Sequence, residues 1–369
     1  MSQTIISGLN SYKELEAILN ELNAKKLFLV CGHSFDRQSI APFVLSLPYP
    51  IVRFSEFGAN PLYEDVCKGI DLFNREGCDA ILAIGGGSAI DTAKCVKLFC
   101  RMDPNIVYMK QEYRDTGIPL IALPTTAGTG SESTRHAVCY YEGNKQSISH
   151  PSIVPDYAVL EPSLLKNLPL YQKKCTMLDA LCQAMESWGS VHSCDESVAY
   201  SQNAMKRLLE NMDAYLEQND EAAATQILLG ANYAGRAINI TATTAAHAMS
   251  YKLTSLYKLP HGHAVALCFP EVWEYMNAHP DKCIDARGQA YVCEAFRQIA
   301  GALGCATAEE AVLRFRALMA KLQMEGPTAG NREAELDILE NSVNPVRLKN
   351  NPVELDKAAM RAIYDKILK

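Results

Sequence analysis

The stretch DAILAIGGGSAIDTAK, residues 79–94, decides the fold. Its apolar run, 80–84, has the length of a buried strand and stops at three glycines, 85–87. Residues 88–100 then show helical spacing, and Ser88 is a suitable cap for that helix. A strand, a glycine turn and a helix start predict a phosphate cradle, because glycine lets a ligand approach the main chain and the helix start offers free N–H groups. The spacing is neither GxGxxG nor a P-loop, so a purely structural turn stays an alternative.

Length, composition and net charge indicate which classes of protein fit this chain. A chain of 369 residues with 48% hydrophobic content can bury a large core and is long enough for two domains. The net charge of −7 argues against a nucleic-acid partner. The first 23 residues show no signal-peptide pattern, and no apolar run is long enough to cross a membrane. The 13 cysteines form no CxxC pair, which is typical of reduced thiols in a cytoplasmic protein.

Strands and helices alternate in the first part of the chain. Apolar runs at 26–31, 51–57 and 119–123 predict further strands, helical spacing appears at 11–23, 39–47 and 62–75, and 140–146 has the pattern of a hairpin. This alternation predicts an α/β domain with a mostly parallel sheet that binds ligands at the carboxyl ends of its strands. Beyond Pro162 the pattern changes to long helical windows at 164–188, 196–211, 221–237 and 283–304. We therefore expect an α/β domain at 1–162 and an all-helical domain at 163–369.

A second group of polar residues could bind a metal. Asp179 and Gln183 lie four positions apart, so on a helix they share a face. Far downstream are His247 and His261, and one carboxylate with two imidazoles suits a catalytic divalent ion with an open position. Spacing alone does not show that they converge, since a buried aspartate is often a cap or part of an ion pair, and a lone histidine is often a core residue. His263 can be a substrate contact or a surface residue.

Together these motifs resemble the iron-containing, or group III metal-dependent, alcohol dehydrogenases, whose superfamily includes glycerol dehydrogenase and dehydroquinate synthase. The matching stretches are GGGSAIDTAK at 85–94, PTTAGTGSE at 124–132, PD at 155–156, DAL at 179–181 with Glu186, and His247 followed by HG at 261–262. The resemblance implies a dehydroquinate synthase-like architecture. It consists of a dinucleotide-binding α/β domain, a helical domain and a site in the cleft between them. The resemblance also makes a homodimer the default.

The resemblance also implies residue roles. Contacts to the cofactor pyrophosphate fall on Gly86, Gly87 and Ser88, and contacts near its phosphates and nicotinamide ribose fall on Thr125, Thr126 and Thr129. Asp91 and Lys94, at the start of the same helix, either contact the cofactor or support the helix. The metal, Fe²⁺ or Zn²⁺, would be held by Asp179, His247 and His261.

Two positions depart from the family pattern. Gln183 stands where alcohol dehydrogenases of the family usually have a histidine ligand, so the metal is held either by three residues or loosely. Tyr251 stands where some members have another histidine. Tyr251 can deliver the proton only if its hydroxyl reaches the substrate oxygen.

The end of the first predicted strand indicates the cofactor. NAD-specific members resemble one another in an acidic residue there, which binds the adenosine ribose. This chain has Gly32, His33 and Ser34, and the first carboxylate is Asp36. Glycine leaves room for a 2′-phosphate to which His33 and Ser34 can donate, so the sequence favours NADPH over NADH.

Within the family, the chain is similar to the branch that reduces phosphonoacetaldehyde to 2-hydroxyethylphosphonate. The stretches that carry this similarity are DALCQA at 179–184, TR at 134–135, YYEGNKQS at 140–147 and AAHAMSYKLTSLY at 245–257. A phosphonate dianion needs cationic partners, and Arg135, Lys145 and Lys252 are candidates. Each of them can equally be a solvated surface charge.

The expected activity is reversible hydride transfer between a nicotinamide cofactor and a small aldehyde or alcohol. Two alternatives stay open. One is a lyase of the dehydroquinate synthase kind, which uses NAD transiently. The other is a degenerate, metal-free family member that serves as a binding scaffold, of which Gln183 would be the first sign.

Overall fold

The structure is a computed structural model that describes residues 3–369. By its internal contacts the chain divides into two compact units. One comprises the residues up to Leu168 together with Glu217–Asn232, and the other comprises Pro169–Leu216 and Tyr233–Lys369. The domain boundary expected after residue 162 stays a prediction.

The first unit is built on a parallel sheet, as predicted. Its strands are β1 (Thr4–Ser7), β2 (Leu27–Cys31), β3 (Ile51–Phe54), β4 (Ala80–Gly85), β5 (Leu120–Pro124) and β8 (Tyr157–Leu160), in the spatial order β1-β8-β5-β4-β2-β3. An antiparallel hairpin adds β6 (His136–Tyr141) and β7 (Asn144–Ser149). The helices that alternate with the sheet strands are α1 (Leu15–Glu21), α2 (Ala41–Leu45), α3 (Tyr63–Glu76) and α4 (Gly87–Phe99). The α/β prediction is confirmed, whereas the edge strand β1 was not predicted.

Alternating side chains bury both faces of this sheet. Phe28 and Ile81 lie in one hydrophobic cluster with side chains of α3 and α4. Leu27 and Leu82 lie in another with side chains of α1 and α2. Strands covered on both faces carry continuous apolar runs, which is why the runs in the sequence located them.

The strand order places a topological switch point between β2 and β4. From β2 the chain passes to β3 on one side and then returns to β4 on the other side of β2. In open parallel sheets, ligands bind beyond the carboxyl ends of the strands at such a point. Gly32 and Gly86 directly follow these two strands.

The remaining chain is helical. Its helices are α5 (Leu170–Gly189), α6 (Asp195–Glu217), α7 (Glu221–Thr241), α8 (Ala245–Tyr257), α9 (His261–Ala278), α10 (Gln289–Ala302), α11 (Ala308–Lys321), α12 (Arg332–Ser342), α13 (Pro345–Leu348) and α14 (Lys357–Ile367). The helix expected at 164–188 begins only at Leu170, because Pro169 occupies the cap position with an extended backbone. The helix expected at 283–304 is shorter, from Gln289 to Ala302.

None of the helices in residues 3–369 is long and apolar enough to span a bilayer.

Candidate functional site

The glycine turn, residues 85–87, and the threonine turn, residues 125–129, meet at the carboxyl ends of strands β4 and β5. Strands β4 and β5 pair side by side, and the Thr125 N–H donates to the Gly85 carbonyl at 3.0 Å. A Cβ on Gly86 would lie 3.3 Å from Thr126 Oγ1, and one on Gly87 would lie 3.1 Å from Thr129 Cγ2. The absence of side chains on these glycines therefore lets the two turns approach each other closely at the amino end of α4.

The expected cap of α4 is wrong. The helix begins at Gly87, with Gly86 as its N-cap, so Ser88 already lies in the first turn. The Ser88 hydroxyl donates instead to the carbonyl of Ala59. The glycines allow the chain to enter the helix two residues earlier than the capping pattern indicated.

The turn after β2 lies beside the glycine turn, because β2 and β4 are paired up to Cys31 and Ile84. His33 and Ser34 are exposed there. Asp36, the first carboxylate after the strand, forms a two-pronged ion pair with Arg53, at 2.6 and 3.0 Å. Arg53 belongs to β3, the strand next to β2.

Asp91 and Lys94 contact the segment that follows the threonine turn, and Asp91 is half-buried. Asp91 accepts hydrogen bonds from the Ser131 hydroxyl at 2.6 Å and from the Val138 N–H at 3.0 Å. Lys94 is completely buried, and its ammonium donates to oxygens of Ser131, Thr134 and His136. Both side chains thus contact the segment that follows the threonine turn.

Asp179, His247 and His261 come together in the helical unit. They project from α5, α8 and the first residue of α9, and one possible ligand atom from each lies within 4.8 Å of the others. Asp179 Oδ1 is 3.2 Å from His247 Nε2 and 3.9 Å from His261 Nε2. Asp179 and His247 are buried, and His261 is partly exposed. One carboxylate oxygen and two imidazole nitrogens in this arrangement match the donor set of a divalent transition metal.

Glu186 holds His247 from behind. Its carboxylate contacts His247 Nδ1 and accepts hydrogen bonds from the His247 backbone N–H at 3.2 Å and the Thr244 hydroxyl at 2.8 Å. Burial lowers the pKa of His247, but Glu186 and Asp179 outweigh burial and raise this pKa to about 9. The two carboxylates therefore favour a positive charge on the His247 ring. A carboxylate on Nδ1 also directs Nε2 towards a metal, as in many histidine sites.

The sequence interpretation assigned no role to Glu186 or Gly262. Glu186 lies seven residues after Asp179, so the two carboxylates share a face of α5, and this spacing was the available signal. A Cβ on Gly262 would overlap the carbonyl oxygen of Cys175 and lie 2.8 Å from Cβ of Asp179. Gly262 therefore allows α9 to approach α5 closely enough to bring His261 to Asp179.

Three further predicted residues surround this cluster. Gln183 is buried on α5, one turn beyond Asp179. The Tyr251 ring stacks on the His261 ring, with centroids 5.8 Å apart and an interplanar angle of 18°. His263 is buried, so it is not a surface residue, and its Nδ1 is hydrogen-bonded to the Tyr171 hydroxyl at 2.8 Å.

The three candidate substrate cations lie in different elements. Arg135 is exposed and immediately precedes β6, whereas Lys145 is half-buried on β7 and pairs across the hairpin with Tyr140. Their backbones are therefore near opposite ends of the hairpin. Lys252 is half-buried on α8, next to Tyr251.

Comparison with known proteins gives relatives along the whole chain. A phosphonoacetaldehyde reductase from Streptomyces viridochromogenes is 31% identical over 297 residues, which is 76% of this chain and 74% of the relative. A probable alcohol dehydrogenase, EutG, from Escherichia coli is 32% identical over 220 residues, 58% of this chain and 56% of the relative. The sulfoacetaldehyde reductase of Bifidobacterium kashiwanohense, solved in complex with NAD⁺, superposes with a TM-score of 0.89 over 99% of this chain and 96% of its own, at 24% identity.

Family-level matches divide the chain in two. Residues 2–162 match the family described as iron-containing alcohol dehydrogenase, and residues 174–368 match the C-terminal region of the Fe-containing alcohol dehydrogenase family. Both matches, in this order, account for nearly the whole sequence. The chain belongs to the iron-containing alcohol dehydrogenase family of oxidoreductases.

Proposed function

We propose that the chain is a metal-dependent, NAD(P)H-linked reductase of a small aldehyde, and that phosphonoacetaldehyde, reduced to 2-hydroxyethylphosphonate, is its substrate. The observation that carries the proposal is the convergence of Asp179, His247 and His261, with Glu186 behind His247. Family membership supports the oxidoreductase class. The cluster is the proposed metal site at which the aldehyde would be reduced.

The proposed metal is Fe²⁺ or Zn²⁺, held by Asp179, His247 and His261. The donor set fits both ions, since imidazole suits either and a carboxylate can complete the site. Gln183 stays a candidate fourth ligand, because it is buried one turn along α5 from Asp179. When bound, the ion would polarise the substrate carbonyl and the nicotinamide would supply the hydride.

The chain's own residues would hold and orient the reactants. Gly86, Gly87 and Ser88 would bind the pyrophosphate at the amino end of α4, with Thr125, Thr126 and Thr129 beside them. Tyr251 is the proposed proton donor to the alkoxide, since its ring stacks on His261, and its hydroxyl must reach the substrate oxygen to act.

We propose NADPH as the preferred cofactor. Gly32, His33 and Ser34 replace the acidic residue that would bind a free ribose, and Asp36 is already paired with Arg53. Because Arg53 neutralises Asp36, this carboxylate would not repel a 2′-phosphate bound at the turn. The homodimer and the cytoplasmic location stay predictions.

The substrate proposal rests on the relatives and on available cations. One relative is a phosphonoacetaldehyde reductase, and a structurally similar protein is a sulfoacetaldehyde reductase, so both act on an aldehyde with an anionic group. In this chain Arg135, Lys145 and Lys252 are the candidates to bind such a group.

An aldehyde panel tests the substrate and the cofactor together. We expect kcat/KM for phosphonoacetaldehyde to exceed that for propionaldehyde by at least about 10-fold, because a charge-assisted contact contributes about 1.5–3 kcal/mol. NADPH is expected to give a higher kcat/KM than NADH. The measurement is the aldehyde-dependent loss of reduced-nicotinamide absorbance.

Each outcome of the panel is informative. A neutral aldehyde that matched phosphonoacetaldehyde would remove the substrate proposal while leaving the reductase. A lyase of the dehydroquinate synthase kind would give no net consumption of reduced cofactor with any aldehyde.

Replacing Glu186 tests the metal ligand His247 indirectly. Glu186→Gln is expected to weaken metal binding by about 10- to 100-fold, because an amide N–H would then face donors that now bind to a carboxylate. Metal affinity is measured by competition with a chromogenic chelator. The control is Glu196→Gln, which makes the same substitution at an exposed position of α6. Equal affinities for Glu186→Gln and the wild type would show that Glu186 does not support metal binding by His247.

A further inference from the structure

Helix α4 carries two buried lysines with different partners. Lys94 is fully buried and Lys97 is nearly so, although lysine is among the residues least often buried. A buried ammonium is stable only when oxygens surround it, so the partners of each lysine show what that lysine holds in place.

The partners of Lys94 all lie in one segment. Its ammonium donates to the Thr134 carbonyl at 2.7 Å, the His136 carbonyl at 2.8 Å and the Ser131 hydroxyl at 3.1 Å, and it also contacts the Ser131 carbonyl and the Thr134 hydroxyl. Asp91, one turn earlier on α4, accepts from the same Ser131 hydroxyl at 2.6 Å. The segment 131–136 is therefore fixed to α4 through a buried cation and a half-buried carboxylate.

This segment continues directly from the threonine turn. Upstream, the turn is held by the hydrogen bond from the Thr125 N–H to the Gly85 carbonyl. In its middle, Thr126 and Thr129 pack against Gly86 and Gly87. Downstream, Lys94 is the cation that holds the chain in place. Without Lys94, several buried carbonyl oxygens would lose their donor, and the turn could relax away from the glycines.

We propose that Lys94 is a positioning residue for the cofactor, because it fixes the segment 131–136 and so holds the threonine turn against the glycine turn. The inference rests on the proposed function, in which these two turns bind the nicotinamide nucleotide. A preorganised turn binds without the free-energy cost of ordering, so losing Lys94 lowers cofactor affinity more than it changes the reaction of the bound complex.

Lys97 provides a matched control. It lies one turn further along α4, and its ammonium is 3.0 Å from Asp156 Oδ2. The same carboxylate accepts the N–H of Leu120, the first residue of β5, at 2.8 Å. Lys97 therefore stabilises the amino end of β5. The glycine turn lies at the opposite, carboxyl end of the strands.

The test compares Lys94→Met with Lys97→Met in the full, metal-loaded chain. Both changes replace a buried ammonium by an apolar chain of similar length, so both are expected to lower Tm. Only Lys94→Met is expected to raise the Kd of NADPH, by at least about 10-fold, with kcat at saturating NADPH within about 3-fold of wild type. NADPH binding is measured by fluorescence titration without aldehyde. An equal rise in Kd for both variants, or no rise for Lys94→Met, would overturn the inference.

A milder variant covers failure to fold. Ser131→Ala removes the hydroxyl that joins Asp91 and Lys94 but keeps the lysine. It is expected to raise the Kd of NADPH in the same direction by a smaller factor, and an unchanged Kd would contradict the inference. If the wild-type chain bound neither NADPH nor NADH, the proposed function itself would fail. Normal binding by both the wild type and Lys94→Met would remove only the role of Lys94.

Discussion

Replacing Asp179 by alanine is expected to remove the bound metal and to lower kcat/KM for aldehyde reduction by at least about 1,000-fold, or about 4 kcal/mol of transition-state stabilisation. Asp179 is the only carboxylate of the candidate cluster, and its Oδ1 lies near both imidazoles, 3.2 Å from His247 Nε2 and 3.9 Å from His261 Nε2. Without it, two neutral imidazoles would have to hold a dication. Metal content by elemental analysis and steady-state kinetics are the measurements.

The control for this variant is Asp195→Ala. Asp195 is an exposed aspartate on the neighbouring helix α6, so its loss is expected to change neither metal content nor turnover. A circular dichroism spectrum shows whether Asp179→Ala remains folded. Full turnover by a folded Asp179→Ala chain would favour the metal-free scaffold and rule out a catalytic metal at this cluster.

Adding one methyl group at Gly262 is expected to disrupt the same site by pushing two of its helices apart. In Gly262→Ala the new Cβ would overlap the Cys175 carbonyl oxygen, so α9 must move away from α5 and carry His261 with it. Overpacking of this kind costs about 3 kcal/mol. We expect a lower Tm and metal affinity reduced by at least about 10-fold. Differential scanning calorimetry and chelator competition measure the two effects.

Gly301→Ala is the matched change without a clash. Gly301 lies in helix α10, and a Cβ there would meet nothing within 4 Å. Alanine is the better helix former by about 1 kcal/mol, so this variant is expected to keep or raise Tm and to bind metal normally. If Gly262→Ala behaved like Gly301→Ala, close contact between α5 and α9 would not be what places His261.

The α/β half was predictable because its signals are local. A buried parallel strand such as β4 must be apolar at every position, and the glycines after it must accommodate neighbouring side chains, so both features are visible in the sequence. Strand β1 was not predicted, because prediction depends on this local apolar signal and β1 lacks it. It lies at the sheet edge with partly exposed residues, and Thr4–Ser7 has no distinctive apolar run.

The metal cluster was predictable only as a set of residue types. Asp179 and His247 are separated by 68 residues, and nothing in that spacing specifies that α5 and α8 bring them within 3.2 Å. The family resemblance supplied the grouping. The structure added two features that the sequence did not show: the contact of Glu186 with His247, and the close approach of α5 to α9 at Gly262.

The role of Lys94 was open for a related reason. Its position in a motif at the start of a helix fits a cofactor contact or a structural support equally well. What separates these alternatives is the identity of the oxygens around the ammonium, and those belong to residues 131–136, about 40 positions downstream. Such partners become visible only when the chain is folded.

The central claim is that one divalent ion at Asp179, His247 and His261 is required for aldehyde reduction. The most direct measurement removes metal from the purified chain with a chelator and then returns Fe²⁺ or Zn²⁺ in steps while NADPH oxidation with phosphonoacetaldehyde is followed. The account predicts that turnover is lost on removal and returns in proportion to bound metal, levelling off at about one ion per chain. Undiminished turnover in the chelated, metal-depleted protein would contradict it.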